Sequence, residues 1–185
     1  MSGFVFQPGV RFLDPEKVLF NAGLAPGQLV ADLGAGSGFF AIAASKMAGQ
    51  TGRVFVVDIM EQALNHVSSE ARLKGLRNIQ TIRGNLEEKN ACKDIPEGGV
   101  DLVILANVLH QIKNKGQLFK EAYRLLKSGG KVLVIDWNQN PSPIGPSASE
   151  RISEAEAVKL AQRSTFKQVS RIEADNYHYG FLFAK

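Results

Sequence analysis

Several polar residues of this chain stand at or just beyond the ends of short apolar runs, where a strand opens into a turn and meets a ligand: Asp32, Asp58, Asn85, Asn107, His110 and Asp136. The first of them belongs to the stretch Val30-Ala-Asp-Leu-Gly-Ala-Gly-Ser-Gly-Phe39. This reads as a strand, a tight bend and a helix N-terminus, an arrangement that lets backbone approach a ligand closely and aims helical amides at it. Dinucleotide sites want Gly-x-Gly-x-x-Gly, but Gly34, Gly36 and Gly38 alternate and Phe39 fills the third position. A different nucleotide-like ligand is implied. Asp58 can accept from both hydroxyls of a ribose in a charge-assisted pair, or simply cap the following helix. An unperturbed imidazole titrates near neutrality, which suits a general base, so His110 is the first candidate for proton removal and Asp136 the second. A helix-start histidine bound to backbone is the plainer alternative for His110.

These residues need elements to hold them. Asp14-Pro15-Glu16 starts a short helix that runs to about Ala22. Strands are expected at Leu29–Leu33, Arg53–Asp58, Ile79–Arg83, Asp101–Ala106 and Lys131–Asp136. Helices are expected at Phe39–Ala48, 61–74 and 115–127, with Ser128-Gly129-Gly130 as the turn into the fifth strand. Residues 138–149 are rich in Pro, Ser, Gly and Asn and form a loop, after which a capping box at Ser153–Glu156 opens a helix to about Arg163. Lys167–Glu173 and Tyr179–Ala184 close the chain as strands, with a turn at Asp175-Asn176; alternation sends Tyr177 and Tyr179 to one face and His178 to the other. Strand–helix alternation ending in a hairpin predicts an α/β fold. Its sheet is doubly wound and mostly parallel, with helices on both faces and an antiparallel C-terminal edge. Ligands of such sheets bind outside the carboxyl ends of the strands, which is where the polar residues fall.

With 185 residues, 44% of them hydrophobic and 22% charged, the chain is the size and composition of one globular domain over residues 1–185. Residues 1–24 are expected to form a cap or lid segment, in which Phe4, Phe6, Arg11 and Phe12 either fold over the cleft or simply pack against the domain, and 138–149 are expected to serve as an active-site loop. The one cysteine rules out a disulfide framework and a cysteine metal cluster, and no metal site is expected. No apolar run reaches the roughly 18 residues of a membrane span and no secretory signal is seen, so a cytoplasmic protein is expected. The net charge of +4 permits anionic partners without arguing for them, and nucleic acid is not expected. Tyr123-x-x-x-Lys127 matches the pair used by short-chain dehydrogenases, but it ends the helix before the fifth strand, one unit too early.

The glycine bend, the strand-end acid and the order of elements resemble the class I S-adenosylmethionine-dependent methyltransferases, Rossmann-like domains of seven strands with the last antiparallel. The resemblance covers residues 14 to 185. It implies S-adenosylmethionine as cofactor, with Asp32 facing the amino group of its methionine part and Gly34, Gly36 and Gly38 beneath it. Asp58 would take the ribose, Ile59 and Met60 would pack against the adenine face or else belong to the core, and Leu86, after the third strand, would join the cofactor-binding residues. Backbone atoms near Asn107 would hold the methionine carboxylate or amine, with its side chain facing the substrate. Family members usually carry an acid where this chain has Asn85, whose amide can still accept and donate at adenine. Leu126–Asp136 and Asn-Val-Leu-His (107–110) are similar to the branch that includes quinone-biosynthesis methyltransferases. Arsenite methylation needs several cysteines, and no Asn-Pro-Pro-Tyr follows the fourth strand, which disfavours amine methylation of nucleobases or glutamine. The resemblance therefore implies methyl transfer to a small-molecule acceptor. The alternatives are a non-catalytic module holding the cofactor or its product, methylation of a protein, lipid or RNA, and a nicotinamide oxidoreductase. The oligomeric state is not legible.

Overall fold

In the computed structural model, which describes residues 13–185, helices and strands alternate along the chain. They run α1 (Pro15–Asn21), β1 (Leu29–Leu33), α2 (Phe39–Ala48), β2 (Arg53–Asp58), α3 (Glu61–Leu73), β3 (Ile79–Arg83), β4 (Val100–Ala106), α4 (Lys115–Leu125), β5 (Leu126–Trp137), α5 (Glu154–Arg163), β6 (Lys167–Arg171) and β7 (His178–Ala184). The seven strands form one sheet in the order β3-β2-β1-β4-β5-β7-β6. The first five pair in parallel and β7 is antiparallel to both β5 and β6. The expected α/β architecture and its antiparallel edge are present. The proposed lid residues Phe4, Phe6, Arg11 and Phe12 lie outside the described residues.

Local chemistry accounts for the element ends. Asp14 accepts from the amides of Glu16 and Lys17 at 3.1 and 3.2 Å, with Pro15 at the first helical position. Ser153 accepts from the Glu156 amide at 3.2 Å. One boundary differs from expectation: α4 stops at Leu125 and β5 begins at Leu126, so Ser128-Gly129-Gly130 lies inside the strand rather than in a turn before it. Leu126 pairs with Val100, and the register then shifts so that Lys131 pairs with Leu102. The extra residues bulge out, helped by Gly129 at φ +73 and by Gly130, where a Cβ would sit 3.0 Å from the carbonyls of Val100 and Lys127.

Alternation along the central strands divides the core. Val103, Leu105, Val132 and Val134 pack under α4 and α5, while Leu102, Ile104, Leu133 and Ile135 pack under α1, α2 and α3. No helix among the described residues is long and apolar enough to cross a membrane.

The polar segment between β3 and β4, undefined in sequence, is tied down by a buried ion pair. Glu121 on α4, 2% exposed, accepts from Arg124 at 2.7 and 3.0 Å and from the Cys92 amide at 3.1 Å, while Arg124 donates to the Cys92 carbonyl. Burial pushes the Cys92 thiol up to about 12, so it is an inert core group. Replacing Glu121 by alanine strands a guanidinium and an amide. The expected loss in denaturant unfolding is about 3 kcal/mol, and a loss under about 1 would contradict this account of the segment.

Candidate functional site

The sheet order reverses between β1 and β4, and at their carboxyl ends opens a cleft of about 450 Å³ whose walls include Asp32, Gly34, Gly36, Asn107, Trp137 and His178. A larger hollow of about 880 Å³ lies at the opposite end of β2 and β3, around Ser45, Arg53, Arg77 and Asn78. There the Asn78 amide is spent on the carbonyls of Ser45 and Gly49, at 3.0 and 2.8 Å, and the hollow is wide and polar. Of the residues predicted from sequence, Asp32, Gly34, Gly36 and Asn107 line the smaller cleft, whereas Gly38, Asp58, Ile59, Asn85 and Leu86 stand outside its lining.

The glycine bend does its work by shape. Contrary to expectation, its amides are mostly used internally. Gly34 and Ala35 donate to the Val57 carbonyl at 2.8 and 3.2 Å, Gly38 donates to Ala35 at 2.8 Å, and Gly36 donates to Asp58 Oδ2 at 2.9 Å. Gly34 and Gly38 adopt φ of +78 and +76, and a Cβ on either would fall 2.5 Å from Val108 or 2.4 Å from Val67. At Gly36 no atom lies within 4 Å of where a Cβ would stand, so the floor of the cleft is open above it. Leu86, buried, backs the bend beside Val108.

Around that floor, buried acceptors lack partners. Asp32 Oδ2 and Asn107 Oδ1 are enclosed and make no hydrogen bond. Burial raises the Asp32 carboxyl to about 7; the Ala41 amide opposes the shift and the charge of Asp58 adds to it. Asn107 holds φ +54, a conformation asparagine tolerates better than most residues, and its amide donates to Ile135 at 2.8 Å. Asp58 is 9% exposed, with Oδ2 on the Gly36 amide and Oδ1 on the Met60 amide at 2.9 Å each. It therefore braces the bend and starts α3 at once, with lone pairs to spare. Beside it Ile59 and Met60 are 53% and 55% exposed, so they form an uncovered apolar pair rather than core. Asn85 instead spends its side chain locally, accepting from the Glu87 amide at 3.2 Å and donating to Glu88 at 3.0 Å.

His110 and Asp136 come together, Nδ1 to Oδ1 at 3.0 Å, but neither lines the cleft. Asp136 is fully buried and also accepts from the amides of Leu109 and Trp137, both at 2.8 Å. Strand alternation places it with Val132 and Val134, across the sheet from Trp137, beside Tyr179, whose hydroxyl burial and the Asp136 charge push up. The cleft has a histidine of its own that the sequence reading passed over. His178 stands opposite Trp137 in the β5–β7 ladder, and its Nδ1 lies 2.7 Å from Asp175 Oδ1. The residue spacing Asp175-x-x-His178 was a signal for it, read only as a turn. Tyr177 precedes β7 and shares the cleft with His178, so alternation does not separate the two. The 138–149 loop folds over the Trp137 ring. Arg151 holds it by donating to the carbonyls of Asn138, Asn140 and Pro146 at 2.9, 2.7 and 3.0 Å, and Ile144 reaches the cleft.

An open floor, two orphaned acceptors and an acid beside an exposed apolar pair fit a ligand with a cationic amine at one end and a diol with a flat ring at the other. Comparison with known proteins agrees. Residues 24–179 match the model of a methyltransferase-domain family. A SAM dependent methyltransferase from Aquifex aeolicus superposes with a TM-score of 0.85 at 27% identity, over 94% of this chain and 90% of that one. The ubiquinone/menaquinone biosynthesis C-methyltransferase of Vibrio vulnificus is 27% identical over 180 residues, 97% of this chain and 64% of that protein. Its counterpart in Psychromonas ingrahamii is 32% identical over 135 residues, 72% of this chain and 52% of that protein. The chain thus spans between about half and two thirds of the length of these curated relatives. It belongs to the methyltransferase-domain family, among the class I S-adenosylmethionine-dependent methyltransferases.

Proposed function

We propose that this chain is an enzyme that moves a methyl group from S-adenosylmethionine to a small-molecule acceptor held in the cleft. The observation that carries this reading is the pair of buried, unpartnered acceptors, Asp32 Oδ2 and Asn107 Oδ1, set around an open floor at Gly36. When bound, the cofactor supplies a methyl carbon made electrophilic by its sulfonium. Asp32 and Asn107 receive the amine of its methionine part, and Asp58 accepts from the ribose hydroxyls while still holding the Gly36 amide. Ile59 and Met60 supply the apolar surface for the ring, and Leu86 backs the bend from the core side. Gly34 and Gly38 keep the floor clear because no side chain fits there. The protein's contribution is then alignment and exclusion of water, which supply roughly 7–11 kcal/mol in well-oriented reactions.

A cleft of about 450 Å³ suits a small molecule, and the curated relatives are named for quinone biosynthesis, which supports that class over RNA or protein. A cytoplasmic setting belongs to the same reading, supported by a sequence whose one cysteine cannot build an internal disulfide framework. The test is incubation with methyl-labelled S-adenosylmethionine and a fractionated extract. Label is expected in a small-molecule fraction. Label in RNA, lipid or protein would replace the acceptor class, and binding of S-adenosylhomocysteine with no label anywhere would replace the enzyme by a binding module.

A further inference from the structure

Asp175 and His178 form a dyad that the cofactor assignment does not use. Three donors converge on Asp175 Oδ1: the Tyr177 and His178 amides, both at 2.8 Å, and His178 Nδ1 at 2.7 Å. Burial works against charge on Asp175, but the His178 ring and the two amides prevail and hold the carboxyl below its ordinary range. A carboxylate only accepts, so Nδ1 carries a ring proton, and in the neutral ring Nε2 is then the acceptor. Nε2 is buried and has no partner, while the ring lines the cleft, 4.2 Å from the Trp137 ring between centroids. A buried acceptor left empty costs free energy unless a ligand fills it. His110 offers no such arrangement, because its pair lies across the sheet from the cleft.

We propose that His178, oriented by Asp175, is the base that takes the proton of an apolar acceptor whose reacting atom is still protonated at neutral pH. This rests on the methyltransferase reading above. The acceptor's X–H bond breaks and its proton passes to Nε2. The electron pair left on X forms the bond to the methyl carbon, and the pair of the broken carbon–sulfur bond stays on sulfur, turning a sulfonium into a thioether. Asp175 stabilises the imidazolium until its proton returns to water. His178 touches the reacting proton and is catalytic. Asp175 acts through it and is a positioning residue. The walls of Trp137, Tyr177, Ile144 and Phe39 supply the apolar surface for the acceptor's body.

The test uses the whole chain labelled with 15N at histidine, together with the His178→Gln, His178→Asn and Asp175→Asn variants. In the free protein the His178 resonances should report one neutral tautomer, protonated at Nδ1, and Asp175→Asn should mix the two. A wild-type ring protonated at Nε2 overturns the proposal without any assay of activity. In single-turnover transfer to the extract fraction that the wild type labels, both His178 variants should slow the reaction by roughly 100-fold or more while S-adenosylhomocysteine binds within about threefold of wild type. Equal loss of transfer and of S-adenosylhomocysteine binding would move His178 into the cofactor's grip and overturn its role as base. Unchanged transfer, or a loss seen only on replacing His110, would also overturn it and leave the methyltransferase reading standing. A wild type that labels no fraction would fail that reading, and the base role with it.

Discussion

Asp58→Ala is expected to lower affinity for S-adenosylhomocysteine by about 10²- to 10⁴-fold, because hydrogen bonds to a charged group contribute about 1.5–3 kcal/mol each and two ribose hydroxyls lose their acceptor. The same change frees the Gly36 and Met60 amides, so the bend loses its brace as well as its ligand contact. Asp58→Asn separates the two effects. Its amide oxygen can still accept from Gly36 but carries no charge, so the fold should hold while affinity falls. Titration calorimetry of both variants decides the matter, and binding within about threefold of wild type by Asp58→Ala would show that the ligand does not use this acid.

Asp32→Asn should make the free protein more stable and the bound protein weaker. The carboxyl titrates at about 7 when folded, above its ordinary value of 3.8. Between those values the unfolded chain carries the charge and the folded chain keeps the proton, so stability falls as pH rises from about 4 to 7 and is level above. The full penalty is roughly 4 kcal/mol. Asparagine carries no such penalty. Its advantage in thermal unfolding should therefore be small near pH 4, grow through that window and be complete at pH 8. A gain that does not change with pH would refute the assignment. Cofactor binding runs the other way. A cationic amine needs the carboxylate, so below pH 7 binding should release a proton, visible as a dependence of calorimetric heat on the buffer's ionisation enthalpy. The buried acid thus sacrifices stability to bind a cation, a pattern common at functional sites.

How much could be read from sequence followed from how local each feature is. The bend at Gly34–Gly38 and the acids at Asp32 and Asp58 were legible because strand, turn and helix are adjacent in the chain and their spacing fixes their geometry. The join between α4 and β5 was not. Leu125 and Leu126 suit a helical stripe and a buried strand equally, and only the pairing of Leu126 with Val100 decides between them. His110 was legible as a residue after a strand end, but its side of the sheet depends on the alternation of β5, which gives its partner Asp136 to the face opposite Trp137. His178 was hidden for a long-range reason. It becomes a cleft residue only because β7 folds back antiparallel to β5 and sets it against Trp137, a register no local pattern states. Asn85 went the other way, since its side chain is consumed within its own turn.

Calorimetric titration of the full chain with S-adenosylhomocysteine, with NADH as the competitor of a different cofactor class, tests the central claim most directly. One equivalent of S-adenosylhomocysteine should bind per chain with proton release below pH 7, and NADH should give no heat. Heat from NADH, or none from S-adenosylhomocysteine at millimolar concentration, would contradict a cleft built for an adenosyl sulfonium compound.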